Sequence, residues 1–202
     1  MGNQPERSTV SDVDVVVAPP VRVADWEAFS VPEGYRAEII QGELVVTPGT
    51  DVSHGRAQNS LVALLARLLP AGYASVSGVE WRLERGGTVA MAPQPDLMVV
   101  PRSVSGPAVT ATPLLAVEVL STSDFTHRLA NGMNRREGKL VDYAANGLAD
   151  YLEVDLTADD PVAIRYELRD GVLVEAARVV GTAVLKAKRP FPYRFRPTDL
   201  IQ

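Results

Sequence analysis

The sequence predicts a mixed α/β domain in which helices pack on a central sheet. Runs that favour β-structure and helical patterns alternate in the order hairpin, helix, several strands, helix, strand and hairpin, which is typical of one sheet covered by helices. The apolar run 114–120 is long enough to form a central strand buried on both faces. The chain has 202 residues, 46% of them hydrophobic, which suits a single domain with its own core.

The individual elements follow from turn signals and from the spacing of apolar residues. Residues 1–22 predict a flexible N-terminal tail, which leaves residues 23–202 as the domain. Helical spacing predicts a short helix over 25–29, a long one over 51–69 and another over 139–145. The predicted strands are 36–40 paired with 43–47, 73–77, 81–84, 96–100, 114–120, 149–155, 162–168 paired with 172–178, and an extended segment over 183–195. The hairpins near the two ends of the chain are expected to be additions to the central sheet.

Charge and cysteine content exclude several classes of protein. The chain has 20 basic and 25 acidic residues and a formal net charge of −5, whereas a protein that coats nucleic acid through bulk charge is basic. The absence of cysteine excludes a disulfide scaffold, cysteine-ligated zinc, iron–sulfur clusters and a thiol nucleophile. No apolar run approaches the ~18 residues of a membrane span, and no secretory signal is recognisable. The expectation is a cytoplasmic protein that does not enter membranes.

Two acidic residues at strand positions are the strongest chemical signals. Glu118 interrupts the apolar run 114–120, and a buried carboxylate is costly unless it is paired, hydrogen-bonded or bound to a metal ion. The alternative is a glutamate at a strand end that reaches solvent or an arginine. Asp96 follows Pro95, which alone is ordinary turn chemistry. Together, however, two acids at the ends of neighbouring strands can share a hard divalent cation.

Three further polar residues are candidates for the same site. Lys139 is the only lysine before position 186 in a chain with three lysines and seventeen arginines, which favours a role as a compact point charge; the alternative is a solvated helix lysine. His54 lies seven residues before Leu61 and shares the apolar stripe of its helix, where a satisfied core histidine is the alternative to a site residue. Glu38 lies in the first hairpin, where an exposed edge glutamate is equally expected.

Two groups of basic residues suggest contact with nucleic acid. The group before Lys139 consists of His127, Arg128, Arg135 and Arg136. These side chains are predicted to contact phosphates, unless they form a solvated polar loop. In the C-terminal segment, Lys186, Lys188, Arg189, Arg194 and Arg196 interleave with Phe191, Tyr193 and Phe195. That mixture suits a single-strand platform, but we favour a plain strand with its aromatic side chains packed on the core.

A series of short motifs runs along most of the chain. The series consists of residues 35–46 around Glu38, His54, residues 95–100 around Asp96, residues 117–121 around Glu118, Lys139 with Tyr143 and Gly147, and residues 150–155. In order and spacing it resembles the Uma2 (Uma-two) family of endonucleases, a branch of the PD-(D/E)XK phosphodiesterase superfamily. The similarity covers residues 25–200 or so.

The resemblance implies a restriction-endonuclease-like core, a mixed central sheet flanked by helices, that hydrolyses phosphodiester bonds in DNA. The implied site residues are Asp96 and Glu118 as metal ligands, Lys139 as the catalytic lysine, and Glu38 and His54 at the rim. With the main-chain carbonyl of Val119, the two acids would hold Mg²⁺ or Mn²⁺, which polarises the phosphate and activates a bound water. A homodimer is a further expectation.

The chain departs from the family pattern in three ways. Gln41 and Arg135 stand where family members commonly have aspartates, and the connection 121–139 is longer than usual. These departures and the acidic net charge favour an alternative, a non-catalytic binding protein that keeps the nuclease fold with a degenerate site. Glu118, together with Asp96 and Lys139, favours the enzyme. Hydrolysis of a smaller phosphate ester is a third alternative.

Overall fold

The central feature of the fold is a six-stranded mixed sheet with helices on both faces. The computed structural model describes residues 20–201, so nearly all of the tail predicted over 1–22 lies outside the described residues. The helices are α1 (Val23–Ala28), α2 (Val52–Ala66), α3 (Thr122–Thr126) and α4 (Arg135–Ala145), followed by a short 3-10 helix (Pro197–Leu200). The strands are β1 (Tyr35–Ile40), β2 (Glu43–Pro48), β3 (Tyr73–Val76), β4 (Leu83–Arg85), β5 (Thr88–Met91), β6 (Leu97–Pro101), β7 (Leu115–Leu120), β8 (Asp150–Asp155), β9 (Val162–Arg169), β10 (Val172–Val180), β11 (Leu185–Ala187) and β12 (Tyr193–Phe195).

The strands of the central sheet follow the order β10-β9-β8-β7-β6-β3. β7 and β8 are parallel and are connected through α3 and α4, whereas the other neighbouring pairs are antiparallel. Every residue of β7 is buried, because this strand has neighbours on both edges and helices over both faces of the sheet. The predicted α/β class, a mixed central sheet flanked by helices, is confirmed.

The helices α2 and α4 cover opposite faces of the sheet. Leu61 and Leu65 of α2 pack in one core cluster with Val117 of β7, while Tyr143 of α4 packs in another cluster with Ala116. Neighbouring residues of β7 therefore serve different cores, because successive side chains of a strand point to opposite faces. Among the helices of residues 20–201, none has the length and apolar character that a membrane crossing requires.

The hairpin of β1 and β2 lies outside the central sheet, as predicted. Its turn residues, Gln41 and Gly42, both have positive φ, 53° and 76°, which matches the backbone of a two-residue hairpin turn. Main-chain groups of Ile39 and Ala92 exchange hydrogen bonds of 3.3 and 2.9 Å. These bonds hold the hairpin against the segment that leads into β6, and so bring Glu38 towards the ends of the central strands.

The two ends of the domain differ in detail from the sequence prediction. The main-chain N–H of Val89 in β5 donates to the carbonyl of Val21 at 2.8 Å, so contacts of the domain begin before residue 23. β5 itself was not predicted. The hairpin of β9 and β10 is not an addition, because β9 pairs with β8 and extends the central sheet. The separate pair at the C-terminal end is β11 with β12.

The connection 121–138, predicted without regular structure, contains α3 and the first turn of α4. Each of these helices begins with a capping box, in which two side chains bond each other's main-chain N–H groups. The boxes are Ser121 with Asp124 and Asn134 with Glu137. Because α4 begins at Arg135 rather than at Lys139, these two residues are one turn apart on the same face of the helix.

The aromatic residues of the C-terminal segment belong to the core. Phe191, Tyr193 and Phe195 are buried, while Lys186 and Arg194 are exposed. This is the alternation of an ordinary strand with one face on the core. The single-strand platform is therefore wrong for this segment, because its rings are not available to stack on bases.

Two helical glycines provide a matched test of how tightly α4 packs on the hairpin. A Cβ atom at Gly138 would lie 2.5 Å from Cδ1 of Leu129 and 2.8 Å from Cγ2 of Ile40, whereas a Cβ atom at Gly55 would meet nothing within 4 Å. Gly138→Ala should lower the free energy of unfolding by about 1–3 kcal/mol through overpacking. Gly55→Ala should raise it by about 0.5–1 kcal/mol through better helix propensity. Urea denaturation measures both, and a Gly138→Ala variant as stable as wild type would contradict close packing.

Candidate active site

The two acids predicted at the strand ends lie opposite each other. In the antiparallel pair of β6 and β7, Leu97 is the partner of Val117, so Asp96, which immediately precedes β6, is level with Glu118. Only 5% of Asp96 and 2% of Glu118 are exposed. The fold therefore buries both carboxyl groups at one end of neighbouring strands.

Several groups hold Asp96 in place. Its Oδ1 lies 2.8 Å from Nε2 of His54, and its Oδ2 accepts a hydrogen bond of 2.7 Å from the main-chain N–H of Val119. The side-chain amide of Gln58 donates to the Asp96 carbonyl at 2.7 Å, and Nη1 of Arg36 lies 3.7 Å from Oδ1. α2 thus contributes two supports one turn apart, and the strand β7 contributes a third.

Glu118 is buried with few compensating charges. Its Oε1 accepts hydrogen bonds from Nζ of Lys139 at 2.9 Å and from the hydroxyl of Tyr143 at 2.6 Å. Burial raises the pKa of Glu118, Lys139 lowers it and Asp96 raises it again, so the pKa stands at about 7. A carboxyl pKa this high means that the surrounding positive charge is too small to favour ionisation fully. A cation placed next to this side chain would stabilise its ionised form.

Glu38, from β1, shares the ammonium of Lys139 with Glu118. Nζ lies 2.9 Å from Oε1 of Glu38, which also accepts a hydrogen bond of 2.7 Å from the main-chain N–H of Gln94. The other oxygen, Oε2, accepts from the guanidinium of Arg135. Burial acts to raise the pKa of Glu38, but the charges of Arg135 and Lys139 outweigh it and hold the pKa well below its ordinary range.

Arg135 is buried between two carboxylates. Its guanidinium donates to Glu38 and to Asp124, and none of its surface is exposed. Burial acts to raise the pKa of Asp124, but Arg135 outweighs it and the pKa lies below its ordinary value. Both alternatives for Arg135, a phosphate contact and a residue of a solvated loop, are wrong, because its donors are already bonded inside the protein. Its neighbour Arg136 is also engaged, in an ion pair of 2.7 Å with Glu153.

The structure brings the predicted site residues together and decides several alternatives. Glu118 reaches neither solvent nor an arginine, and neither Glu38 nor Lys139 is exposed. His54 is buried on the apolar stripe of α2, but its Nε2 faces Asp96, and its Nδ1 has no hydrogen-bond partner among the described residues. It is therefore not a fully satisfied core histidine. The metal-binding and catalytic roles of these residues stay predictions.

The two residues that depart from the family pattern both form hydrogen bonds that involve α4. Gln41 bonds to Asp142 of this helix, and Arg135 belongs to the helix and bonds to carboxylates outside it. The main-chain N–H of Gln41 donates to Asp142 at 2.8 Å, and its side-chain amide donates at 2.5 Å. Burial raises the pKa of Asp142 to about 6, although the bonds from Gln41 oppose this. An aspartate at position 41 would face Asp142 and repel it. Both departures therefore remove negative charge from a region already rich in carboxylates.

The site has more negative than positive charge. Four buried carboxylates, those of Glu38, Asp96, Glu118 and Asp124, lie near two buried cations, Arg135 and Lys139. Among residues 20–201, no group of three or more histidine, cysteine, aspartate or glutamate side chains is arranged to hold a metal ion. A cation would therefore depend on Asp96 and Glu118. Mg²⁺ commonly takes one or two protein carboxylates and completes its shell with water and phosphate oxygens, so these oxygen donors and the surplus charge fit such an ion.

A cavity of about 430 Å³, here called the active-site cavity, opens beside His54 and Arg36. Its lining includes His54 and Arg36, which both approach the Asp96 carboxylate, and the polar residues Asp51 and Ser121. Leu120, two residues after Glu118, also lines it. The cavity therefore brings a ligand to His54 and Arg36, the two side chains that approach Asp96.

Some site residues were not predicted, although local signals for them were present. Tyr143 donates a hydrogen bond to Glu118, and Asp124 accepts one from Arg135, which also bonds Glu38. The spacing Ser121 to Asp124 is a capping box signature, which would have indicated a helix and an ordered aspartate. The spacing of Arg135, Lys139 and Tyr143 by four residues indicates one helix face. The main-chain donor Gln94 leaves no signal in the sequence.

Comparisons with known proteins bear on the family and the fold. The model of the Uma2 family, described as "Putative restriction endonuclease", matches residues 23–194. A crystal structure described as that of "a putative nuclease belonging to DUF820 from Anabaena variabilis ATCC 29413" matches with a TM-score of 0.64. The match covers 90% of this chain and 98% of that chain at 13% sequence identity, which shows a shared fold. Among curated proteins, none matches this chain.

The buried position of Arg135 predicts a large effect of its removal. Arg135→Ala should lower the free energy of unfolding by about 3–5 kcal/mol, because Glu38 and Asp124 would keep buried charges without their partner. The matched control is Arg178→Ala, which removes an exposed pair with Glu175 and should cost less than about 1 kcal/mol. Urea denaturation at neutral pH compares the two. A small loss in Arg135→Ala would contradict the buried ion cluster.

The raised pKa of Glu118 predicts a pH dependence of stability. In the folded protein Glu118 retains its proton up to about pH 7, whereas in the unfolded chain it loses the proton at pH ~4.5. The contribution of Glu118 to the free energy of unfolding is therefore complete below pH ~4.5 and is lost as the pH rises through about 7. Glu118→Gln should therefore lose less stability than wild type between about pH 5 and 8 in the absence of divalent cations. Denaturation curves across this range measure the difference. The exposed control Glu175→Gln should follow wild type, and identical slopes for all three proteins would refute the raised pKa.

Proposed function

Because this chain belongs to the Uma2 family, described as "Putative restriction endonuclease", we propose that it is a metal-dependent endonuclease of the PD-(D/E)XK type that hydrolyses phosphodiester bonds in DNA. One observation carries the proposal. The ammonium of Lys139 lies 2.9 Å from a carboxylate oxygen of Glu38 and 2.9 Å from one of Glu118, beside the buried Asp96. Acidic ligands for a cation and a fixed positive charge are the groups that metal-dependent phosphodiester hydrolysis uses.

The acidic residues hold the cation in this proposal. Asp96 and Glu118, with the main-chain carbonyl of Val119, are its ligands, and Mg²⁺ or Mn²⁺ suits their oxygen donors. When bound, the ion polarises the phosphate and lowers the pKa of a water. His54 supports this arrangement through its 2.8 Å contact with Asp96, which fixes the orientation of that carboxylate.

Lys139 acts on the reacting groups directly. A bond forms between the water oxygen and phosphorus while the ester bond to the leaving oxygen breaks, and negative charge grows on the phosphate oxygens. The proton that the water loses passes through solvent to the leaving oxygen, which departs as a hydroxyl group. The Lys139 ammonium donates hydrogen bonds to the water or to those oxygens and stabilises that charge. Glu38 is a positioning residue for Lys139, because it accepts from the ammonium and is itself fixed by Gln94 and Arg135.

A second candidate is a binding protein that keeps the fold without catalysis. The observation in its favour is that Arg135 already neutralises part of the acidic cluster, through Glu38 and Asp124. The formal net charge of −5 also weakens general attraction to DNA. We favour the enzyme, because Arg135 pairs with Glu38 and Asp124 and not with Asp96 or Glu118, the two carboxylates proposed as metal ligands.

Cleavage of labelled DNA in the presence of Mg²⁺ or Mn²⁺ tests the proposal. Wild type should produce fragments, and Asp96→Asn, Glu118→Gln and Lys139→Met should each lower the rate by about 100-fold or more. The first two variants remove proposed ligands of the cation, and the third removes the positive charge that stabilises the transition state. The matched control is Asp150→Asn. Asp150 is an equally buried carboxylate outside the site, paired with Arg165 at 2.8 Å, and this variant should keep its activity.

Two outcomes would count against the enzyme. If Asp150→Asn loses as much activity as Asp96→Asn, the loss reflects stability and the site assignment is wrong. If wild type neither cleaves DNA nor binds Mg²⁺ in calorimetric titration, the binding-protein candidate replaces the enzyme. Binding of Mg²⁺ that Glu118→Gln abolishes, together with metal-dependent cleavage, would establish the proposed site.

A further inference from the structure

A second cavity, here called the Trp26 pocket, lies between α1 and the start of β1. Its volume is about 550 Å³, within the usual range for small-ligand sites. Its lining combines aromatic and polar residues, among them Trp26, Phe29, Tyr35, Arg36, Glu80 and Gln94. The hydrolysis proposed above leaves this pocket without a role.

The Trp26 pocket adjoins the candidate active site. Arg36 lines both this pocket and the active-site cavity, and its Nη1 lies 3.7 Å from Oδ1 of Asp96. On another wall, Gln94 donates its main-chain N–H to Glu38 at 2.7 Å. A DNA strand whose phosphate lies at Asp96 would therefore bring a neighbouring nucleoside to the entrance of the pocket.

An aromatic pair forms one side of the pocket. The ring of Phe29 stacks on that of Trp26 with centroids 6.1 Å apart and an angle of 8° between the planes. Trp26 is 9% exposed and is anchored by a hydrogen bond of 2.9 Å from its Nε1 to Glu80, whereas Phe29 is 44% exposed. A fixed ring beneath an exposed ring is a platform on which another flat ring can stack.

The charges on the walls of the pocket balance each other. Arg82 forms ion pairs with Glu80 at 2.7 Å and with Glu27 at 3.1 Å. Arg36 is directed towards Asp96. The pocket therefore has no surplus positive charge to attract a phosphate, and it suits an uncharged flat ring with polar edges. A nucleobase has these properties.

We propose that the Trp26 pocket receives one unpaired nucleobase of the DNA substrate, which stacks on Phe29 while the adjoining phosphate lies outside the pocket, at the candidate active site. This inference rests on the proposed nuclease function and specifies its substrate class. A base inside a duplex is stacked on both faces, so only single-stranded DNA or a base displaced from the duplex can enter. Because every base has a flat face, stacking here requires no particular sequence.

Binding to a labelled oligothymidylate of about twelve nucleotides, compared with a duplex of equal length, tests the pocket. Fluorescence anisotropy with Ca²⁺ in place of Mg²⁺ avoids the need for cleavage. Wild type should bind the single strand about tenfold more tightly than the duplex, and Phe29→Ala should weaken single-strand binding about tenfold, because base–aromatic stacking is lost. Phe29→Tyr should restore it. The control Val172→Ala changes another exposed apolar residue, 56% exposed in the edge strand β10, and should bind as wild type does.

A second measurement reports stacking itself. A 2-aminopurine base in the single strand should lose fluorescence on binding to wild type and keep it on binding to Phe29→Ala. Equal affinity for both DNA forms, unchanged binding by Phe29→Ala, or no DNA binding would overturn the proposal. Preferential single-strand binding by a chain that cleaves no DNA would support the pocket and refute only the nuclease activity.

Discussion

The Lys139 ammonium between Glu38 and Glu118 is the interaction on which the arrangement of the site depends. Glu38 belongs to the hairpin of β1 and β2, Glu118 to the central sheet and Lys139 to α4, so one buried cation joins three elements. Without it, Glu118 would lose its ion pair while Glu38 would keep Arg135, and a buried charge left without its partner is strongly destabilising. The position of the hairpin over the sheet is therefore coupled to the ionisation of the site.

The helix α4 repeats this use of donors along one face. Arg135, Lys139 and Tyr143 are spaced by four residues, and each donates to a carboxylate outside the helix. Such a row satisfies buried acids from two different sheets. Buried ion pairs of this kind contribute little net stability, so we infer that their role is to fix how the hairpin, the helix and the sheet meet.

The cluster divides into a strongly compensated and a weakly compensated part. Glu38 and Asp124 share Arg135, and both have lowered pKa values despite burial. Glu118 has Lys139 and Tyr143 alone, and its pKa is raised to about 7. The first part is fully paired inside the protein, while the second lies level with Asp96. A site for a divalent cation requires carboxylates whose positions are fixed by hydrogen bonds from the residues around them.

The sequence by itself determined the fold class and the two carboxylates at the strand ends. A run such as 114–120 can be satisfied only by burial on both faces, and a carboxylate within it must have a partner. The prediction began this helix at residue 139, but its true start at Arg135 is also indicated locally, by the capping box of Asn134 and Glu137. The partners were decided by tertiary structure alone. Arg135 meets Glu38 across 97 positions of sequence, and this contact depends on how the hairpin packs against α4, which local patterns do not encode.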